Sequence, residues 1–89
     1  MPTVSAFGIA GLDLRFYTND HEPPHFHAIK RGDWVIRVFF TQCTKDELVY
    51  GQEGTSTKAP TSAVRKALLE QVLAHQFDLM VEWEATRPG

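Results

Sequence analysis

The chain is poor in cysteine, in long apolar runs and in signals of export. Cys43 is the only cysteine among 89 residues, so no intrachain disulfide can form and nothing indicates a secreted disulfide scaffold. No apolar stretch approaches the roughly 20 residues that a membrane-spanning helix needs. The first residues also lack a basic segment followed by an apolar one. We therefore expect a cytoplasmic protein that does not use a membrane.

The chain also lacks an excess of positive charge. Its formal net charge is −2 and its pI is about 6.0, whereas tight nonspecific binding to nucleic acid needs a strongly basic surface. Nucleic acid is therefore not the favoured partner, although a local basic patch is compatible with this balance. The length of 89 residues predicts a single small domain, 1–89, and no repeat divides it.

Histidine is concentrated in one rigid segment. Residues 19–27 read Asn-Asp-His-Glu-Pro-Pro-His-Phe-His, and this run places His21, His25 and His27 within seven residues. Prolines fix φ near −65° and bias the preceding residue toward extended geometry, so the segment cannot be helical. If a strand begins at His25, then His25 and His27 project to one face and Phe26 to the other.

Alternation of apolar and polar residues predicts four short strands. They lie near residues 12–18, 25–30, 34–40 and 47–50. In the first strand, the residues expected to face a core are Leu12, Leu14 and Phe16. The third strand is largely apolar on both faces, with Val35, Arg37 and Phe39 on the face opposite Trp34, Ile36, Val38 and Phe40. This pattern is typical of a central strand or of a sheet with a second covered surface.

A polar stretch from Gly51 to Ala59 is interpreted as a loop, and a helix is predicted from about residue 61 to beyond residue 74. Thr61 or Ser62 can cap it, and its apolar residues recur at spacings of three and four. The sequence leaves open whether this helix continues through His75–Asp78 or breaks into two.

Segregated strands and helices predict an α+β domain. We expect a small antiparallel sheet of three to four strands, followed by a C-terminal helix, or two, packed on one face. The opposite face would carry Arg15, Tyr17, Arg37, His25 and His27. A sheet covered on one side only leaves a surface for a partner protein, a twin subunit or a substrate.

The histidine segment supports two interpretations. In the first, His21, His25 and His27 bind zinc or another divalent metal, and Asp20 completes the site or orients a ring. In the second, the segment is a structural turn whose imidazoles bond to backbone carbonyls and to the Asp20 carboxylate. Both interpretations stay open at this point.

A metal-free site is the third interpretation. Arg15, Tyr17 and Arg37, together with His25 or His27, could bind phosphate and cleave RNA by general acid–base catalysis. The alternative is that these are ordinary outward-facing residues of a sheet.

The motifs resemble those of the small bacterial proteins grouped as domain of unknown function 4160. The shared features are the opening Met1-Pro2-Thr3, the strand Leu14 to Thr18, the run Asp20 to His27, and the spacing of His75, Leu79 and Trp83. Between Val38 and Pro60 the chain is longer and more polar than the family's short hairpin.

The resemblance implies little biochemistry. Members of the family often stand in short bacterial operons beside another small protein, which implies a toxin–antitoxin-like or regulatory pair. We therefore predict an interaction protein that acts through a protein partner or a homo-oligomer, with Val35 and Phe39 at the contact. The alternative is a small histidine-dependent enzyme, a nuclease, working with or without a divalent metal.

Overall fold

The computed structural model describes residues 2–18, 21–54 and 58–87. Its elements are β1 (Asp13–Arg15), β2 (Phe26–Lys30), β3 (Trp34–Val38), β4 (Tyr50–Gln52), α1 (Ser62–Ala74) and α2 (Gln76–Ala85). The strands form one antiparallel sheet in the order β1-β2-β3-β4. The predicted α+β class, an antiparallel sheet followed by helices, is confirmed.

Period-two alternation decides which side of the sheet meets the helices. In β3, Trp34, Ile36 and Val38 are buried, whereas Val35 and Arg37 are half-buried. The buried strand residues share one hydrophobic core with residues from both helices, namely Leu68, Val72, Leu79 and Trp83. Both helices therefore pack on the same side of the sheet, which we call the helical face, and the molecule has two layers.

The helical region is broken at one residue. Thr61 caps α1, because its Oγ1 accepts a hydrogen bond from Val64 N at 3.3 Å. His75 leaves helical geometry with φ −127° and ψ 20°, which ends α1 and starts α2. The question that the sequence left open is thus answered by two helices. Neither described helix is long and apolar enough to cross a membrane.

The N-terminal segment lies between the sheet edge and α2. Thr3 forms an antiparallel bridge with Arg15 on the outer side of β1. The backbone amides of Ser5 and Ala6 both donate to the carboxylate of Glu82, at 2.6 and 2.8 Å. A carboxylate on α2 therefore fixes a loop that carries no regular structure of its own.

The fourth strand lies further along the chain than predicted. We expected a strand over 47–50 and a loop from Gly51, but β4 comprises Tyr50–Gln52. Thr44 and Glu47 instead close a tight turn through an isolated bridge. Pairing with β3 therefore starts only after this turn, and it extends as far as Glu53, whose amide donates to Val35 O at 2.9 Å.

Candidate functional site

The side of the sheet turned away from the helices carries a mixed set of residues. Strand register pairs Arg15 with His27 and His27 with Arg37, so these three side chains form a row across β1, β2 and β3. Ile29 and Val35 form the neighbouring cross-strand pair. Both are half-buried and lie outside the hydrophobic core. We call the surface made by these five residues the open face.

His27 is almost inaccessible although it belongs to the open face. Only 4% of the residue is exposed. The ring of Tyr17 meets it edge to face at 4.2 Å between centroids. Glu53 Oε1 lies 3.1 Å from its Nδ1, a close polar contact. An aromatic ring and a carboxylate therefore hold this imidazole in one orientation.

Glu53 also approaches Arg37, but less closely. Its Oε1 is 3.6 Å from Arg37 Nε, which is beyond hydrogen-bond distance. Arg37 Nε is buried and makes no hydrogen bond within the described part of the chain. Buried donors normally have an acceptor. Glu53 therefore pairs with Arg37 by charge without a hydrogen bond to Nε, and the Arg37 side chain as a whole stays 43% exposed.

His25 lies just before β2, where the open face meets the core. Its Nδ1–H donates to Pro23 O at 2.8 Å. Its ring centroid lies 5.1 Å from that of His27, 5.6 Å from Phe39 and 5.5 Å from Trp83. We expected His25 to lie away from the core, and this is wrong in part, because Trp83 of α2 reaches the end of the sheet. The bond to a backbone carbonyl is the one that the structural interpretation predicts.

A cleft of about 230 Å³ opens beside His25. Its lining residues are His21, Glu22, Pro23, His25, Arg37, Phe39 and Glu53. The Glu22–Pro23 peptide bond in its wall is cis. His21 is exposed at this site, whereas His25 is 95% covered. Two of the three predicted histidines thus share a cleft with one guanidinium and two carboxylates.

The structure brings together the residues that the sequence proposed for metal-free chemistry. Arg15, Tyr17, His25, His27 and Arg37 are neighbours at one end of the sheet. Sequence reasoning missed Glu53, because it falls in the stretch interpreted as a loop. The sequence held one signal for it. If the fourth strand is extended to residue 53, residues 51 and 53 point to the same side of the sheet as Arg37, which is the open face.

The predicted metal site is not resolved by these contacts. Among the residues that the structure describes, no group of three or more His, Cys, Asp or Glu side chains is arranged to hold a metal ion. Asp20, the proposed fourth member beside His21, His25 and His27, lies outside the described residues. Binding of zinc or another divalent metal therefore stays a prediction.

Comparison with known proteins identifies a family. The family described as domain of unknown function (DUF4160) matches residues 11–84, which include the histidine segment, the whole sheet and nearly all of both helices. No curated protein and no solved structure matches the chain.

Proposed function

The chain belongs to the DUF4160 family, and we propose that it is a small cytoplasmic regulatory protein that acts by binding another protein through its open face. We further propose that the partner is the other member of a two-gene, toxin–antitoxin-like pair. The observation that carries the proposal is the half-buried pair Ile29 and Val35, which lies outside the core.

The composition of the open face suits a protein surface better than a small ligand. Its apolar pair stands beside two arginines, Arg15 and Arg37, with Tyr17 and Phe39 close by. Arginine and aromatic residues are enriched in protein–protein interfaces and dominate their binding energy. The adjacent cleft of about 230 Å³ is below the usual size of a pocket for a drug-sized ligand, about 300–1,000 Å³.

Co-expression with the product of the adjacent gene tests the proposal. We expect a complex that survives size exclusion and has the summed mass by light scattering. Val35→Glu places a carboxylate in the apolar pair and should weaken the complex at least tenfold. Ala63→Glu makes the same change of charge at an exposed position of α1 and should leave binding unchanged.

Self-association is the other form of this proposal. A homo-oligomer at micromolar concentration that Val35→Glu dissociates would identify a second copy as the occupant of the open face. A chain that stays monomeric and does not bind the neighbouring gene product would rule out both hetero-association and self-association.

A second function, cleavage of RNA, is favoured by the Arg37 side chain, which is 43% exposed and lines the same cleft as two histidines. In this proposal Arg37 binds the phosphate and His25 takes the proton from the ribose 2′-hydroxyl. The 2′-oxygen then bonds to phosphorus, the bond from phosphorus to the 5′-oxygen breaks, and protonated His21 gives its proton to that oxygen. The products are a 2′,3′-cyclic phosphate and a 5′-hydroxyl.

Cleavage of a fluorescent RNA oligonucleotide in EDTA tests this second function. We expect the cyclic phosphate as product and a loss of about 10²–10⁴ in rate for His21→Ala. The exposed position of His21 makes this change safe for folding. Activity that disappears in EDTA and returns with Zn²⁺ would support the divalent-metal form of the enzyme. No cleavage under either condition would dismiss the nuclease.

A further inference from the structure

The outer surface of α2 exposes a large aromatic side chain. Phe77 is 79% exposed and Val81, one turn later, is 53% exposed. Ala85 is exposed a further turn along the same side. Scattered single apolar residues on a surface are ordinary, but these three follow one another at a spacing of four and form a continuous stripe. We call them the α2 stripe.

The stripe points away from the rest of the protein. Leu79 and Trp83, the buried residues of α2, belong to the core on the helical face. At 3.6 residues per turn, Val81 lies roughly opposite the midpoint of these two residues. The stripe is thus on the far side of the molecule from the open face, and its exposure has no explanation in the proposed function.

Acidic side chains stand on both sides of the stripe. Asp78 and Glu84 lie three residues before and after Val81, so they project about 60° to either side of it. Both are exposed. The segment Gln76–Ala85 contains no lysine or arginine, and the next cation, Arg87, lies over the Trp83 ring at 4.8 Å. His75 Nδ1 lies 3.7 Å from the Asp78 carboxylate at the start of this surface.

These charges exclude a second copy as the natural occupant. An antiparallel pair of α2 helices centred on Val81 would place Asp78 of one copy beside Glu84 of the other, on both flanks of the seam. Like charges in such flanking positions set partner choice by repulsion. An anionic membrane surface is disfavoured for the same reason.

We propose that the α2 stripe docks a partner protein through an amphipathic helix whose apolar side is flanked by lysine or arginine. Phe77 and Val81 pack against the apolar side of that helix, and Asp78 and Glu84 pair with its cations. Helix pairing of this kind uses an apolar seam for affinity and flanking charges for selectivity.

A designed helical peptide is the probe for this proposal. Its leucines are spaced by four residues and flanked by lysines, and a matched peptide carries glutamate in place of each lysine. Fluorescence anisotropy should show micromolar binding of the lysine peptide to the intact chain and at least tenfold weaker binding of the glutamate peptide. Phe77→Ser should weaken binding of the lysine peptide at least tenfold, whereas Val35→Glu, on the opposite layer, should not change it.

A charge-reversal variant distinguishes specific binding at the α2 stripe from nonspecific electrostatic attraction. In the double variant Asp78→Lys and Glu84→Lys, the glutamate peptide should become the tighter ligand. Unchanged preference in this variant would overturn the proposal, as would equal binding of both peptides by the unmodified chain. Dimers that Phe77→Ser dissociates, or binding to phosphatidylglycerol vesicles that Phe77→Ser abolishes, would assign the stripe to a second copy or a lipid surface instead.

Discussion

Two histidines of one short motif are buried for different reasons. His25 is held by a backbone carbonyl and by the edge of the core, through Pro23 and Trp83. His27 is held on the open face by Tyr17 and Glu53. Replacing either histidine therefore removes contacts that support the fold, whatever chemistry the same side chain performs.

Truncation of His27 should lower stability without any involvement of metal. His27→Ala removes the ring that Tyr17 packs on and the partner of Glu53, at a cost of about 1–3 kcal/mol. Urea denaturation should show this loss equally with and without EDTA. His21→Ala, at an exposed site, should change stability by less than about 0.5 kcal/mol. Stoichiometric zinc in the purified protein, with wild-type stability that falls in EDTA, would contradict this prediction and support the metal site.

Cys43 should be an unreactive thiol. Burial raises its pKa above the ordinary 9.0, and the nearby charge of Glu47 acts in the same direction against a lowering by the Val49 backbone. The thiolate is the reactive form, so iodoacetamide should alkylate the folded protein far more slowly at pH 8 than the protein unfolded in urea. Equal rates in the two states would show that the thiol is accessible.

The raised pKa of Cys43 also predicts that the stability of the protein depends on pH. Above about pH 9.0 the unfolded thiol ionises while the folded one stays protonated, so stability should fall as the pH rises through this range. Cys43→Ala should remove this part of the fall, which urea titrations between pH 7 and pH 10 can measure.

At the scale of elements, α2 links three parts of the fold. It buries Leu79 and Trp83 in the core, exposes the α2 stripe, and offers the Glu82 carboxylate to the N-terminal segment. The segment near Ser5 forms no strand or helix. Its position therefore depends on hydrogen bonds from outside itself.

Removal of that carboxylate should release the N-terminal segment selectively. Glu82→Ala leaves the amides of Ser5 and Ala6 without their acceptor, and we expect a loss of about 1–2 kcal/mol, since these bonds are charge-assisted but partly solvated. Hydrogen exchange should accelerate at both amides and stay slow in β2. Glu84→Ala removes an exposed carboxylate of the same helix and should change neither quantity; uniform acceleration across the sheet would mean that the segment is part of the core.

At the scale of the molecule, much of the fold follows from sequence periodicity. The alternation in β1 and β3 predicts which residues are buried, and Leu14, Phe16, Ile36 and Val38 are all in the core. The turn between β2 and β3 contains Gly32 with a φ of +77°, a backbone conformation that glycine adopts without strain. The position of β4 does not follow from periodicity, because an edge strand tolerates Gly and Gln, and its register depends on the turn closed by Thr44 and Glu47.

The site could be predicted in part for the same reason. Alternation along the strands predicts that Arg15, His27 and Arg37 share one face, and the strand register then aligns them in a row. Glu53 depends on the register of β4, and the contact of His25 with Trp83 depends on where α2 ends. Both contacts result from packing between residues far apart in the chain, which local sequence patterns do not predict.

The two-layer arrangement predicts that substitutions on the two outer surfaces change stability independently of each other. Val35 lies on the open face and Val81 on the outer side of α2, so Val35→Glu and Val81→Glu alter opposite surfaces. Each should lower the free energy of unfolding by no more than about 1 kcal/mol, and the double variant should show the sum, because the effects of distant sites without shared contacts add.

Val38→Glu places the same carboxylate in a fully buried position of β3 and should unfold the protein, since an unpaired buried charge is far more costly. Urea denaturation of the four variants measures this directly. A coupling above about 1 kcal/mol between the two surface changes would mean that the surfaces share structural support, and the two proposed partners could then not bind independently.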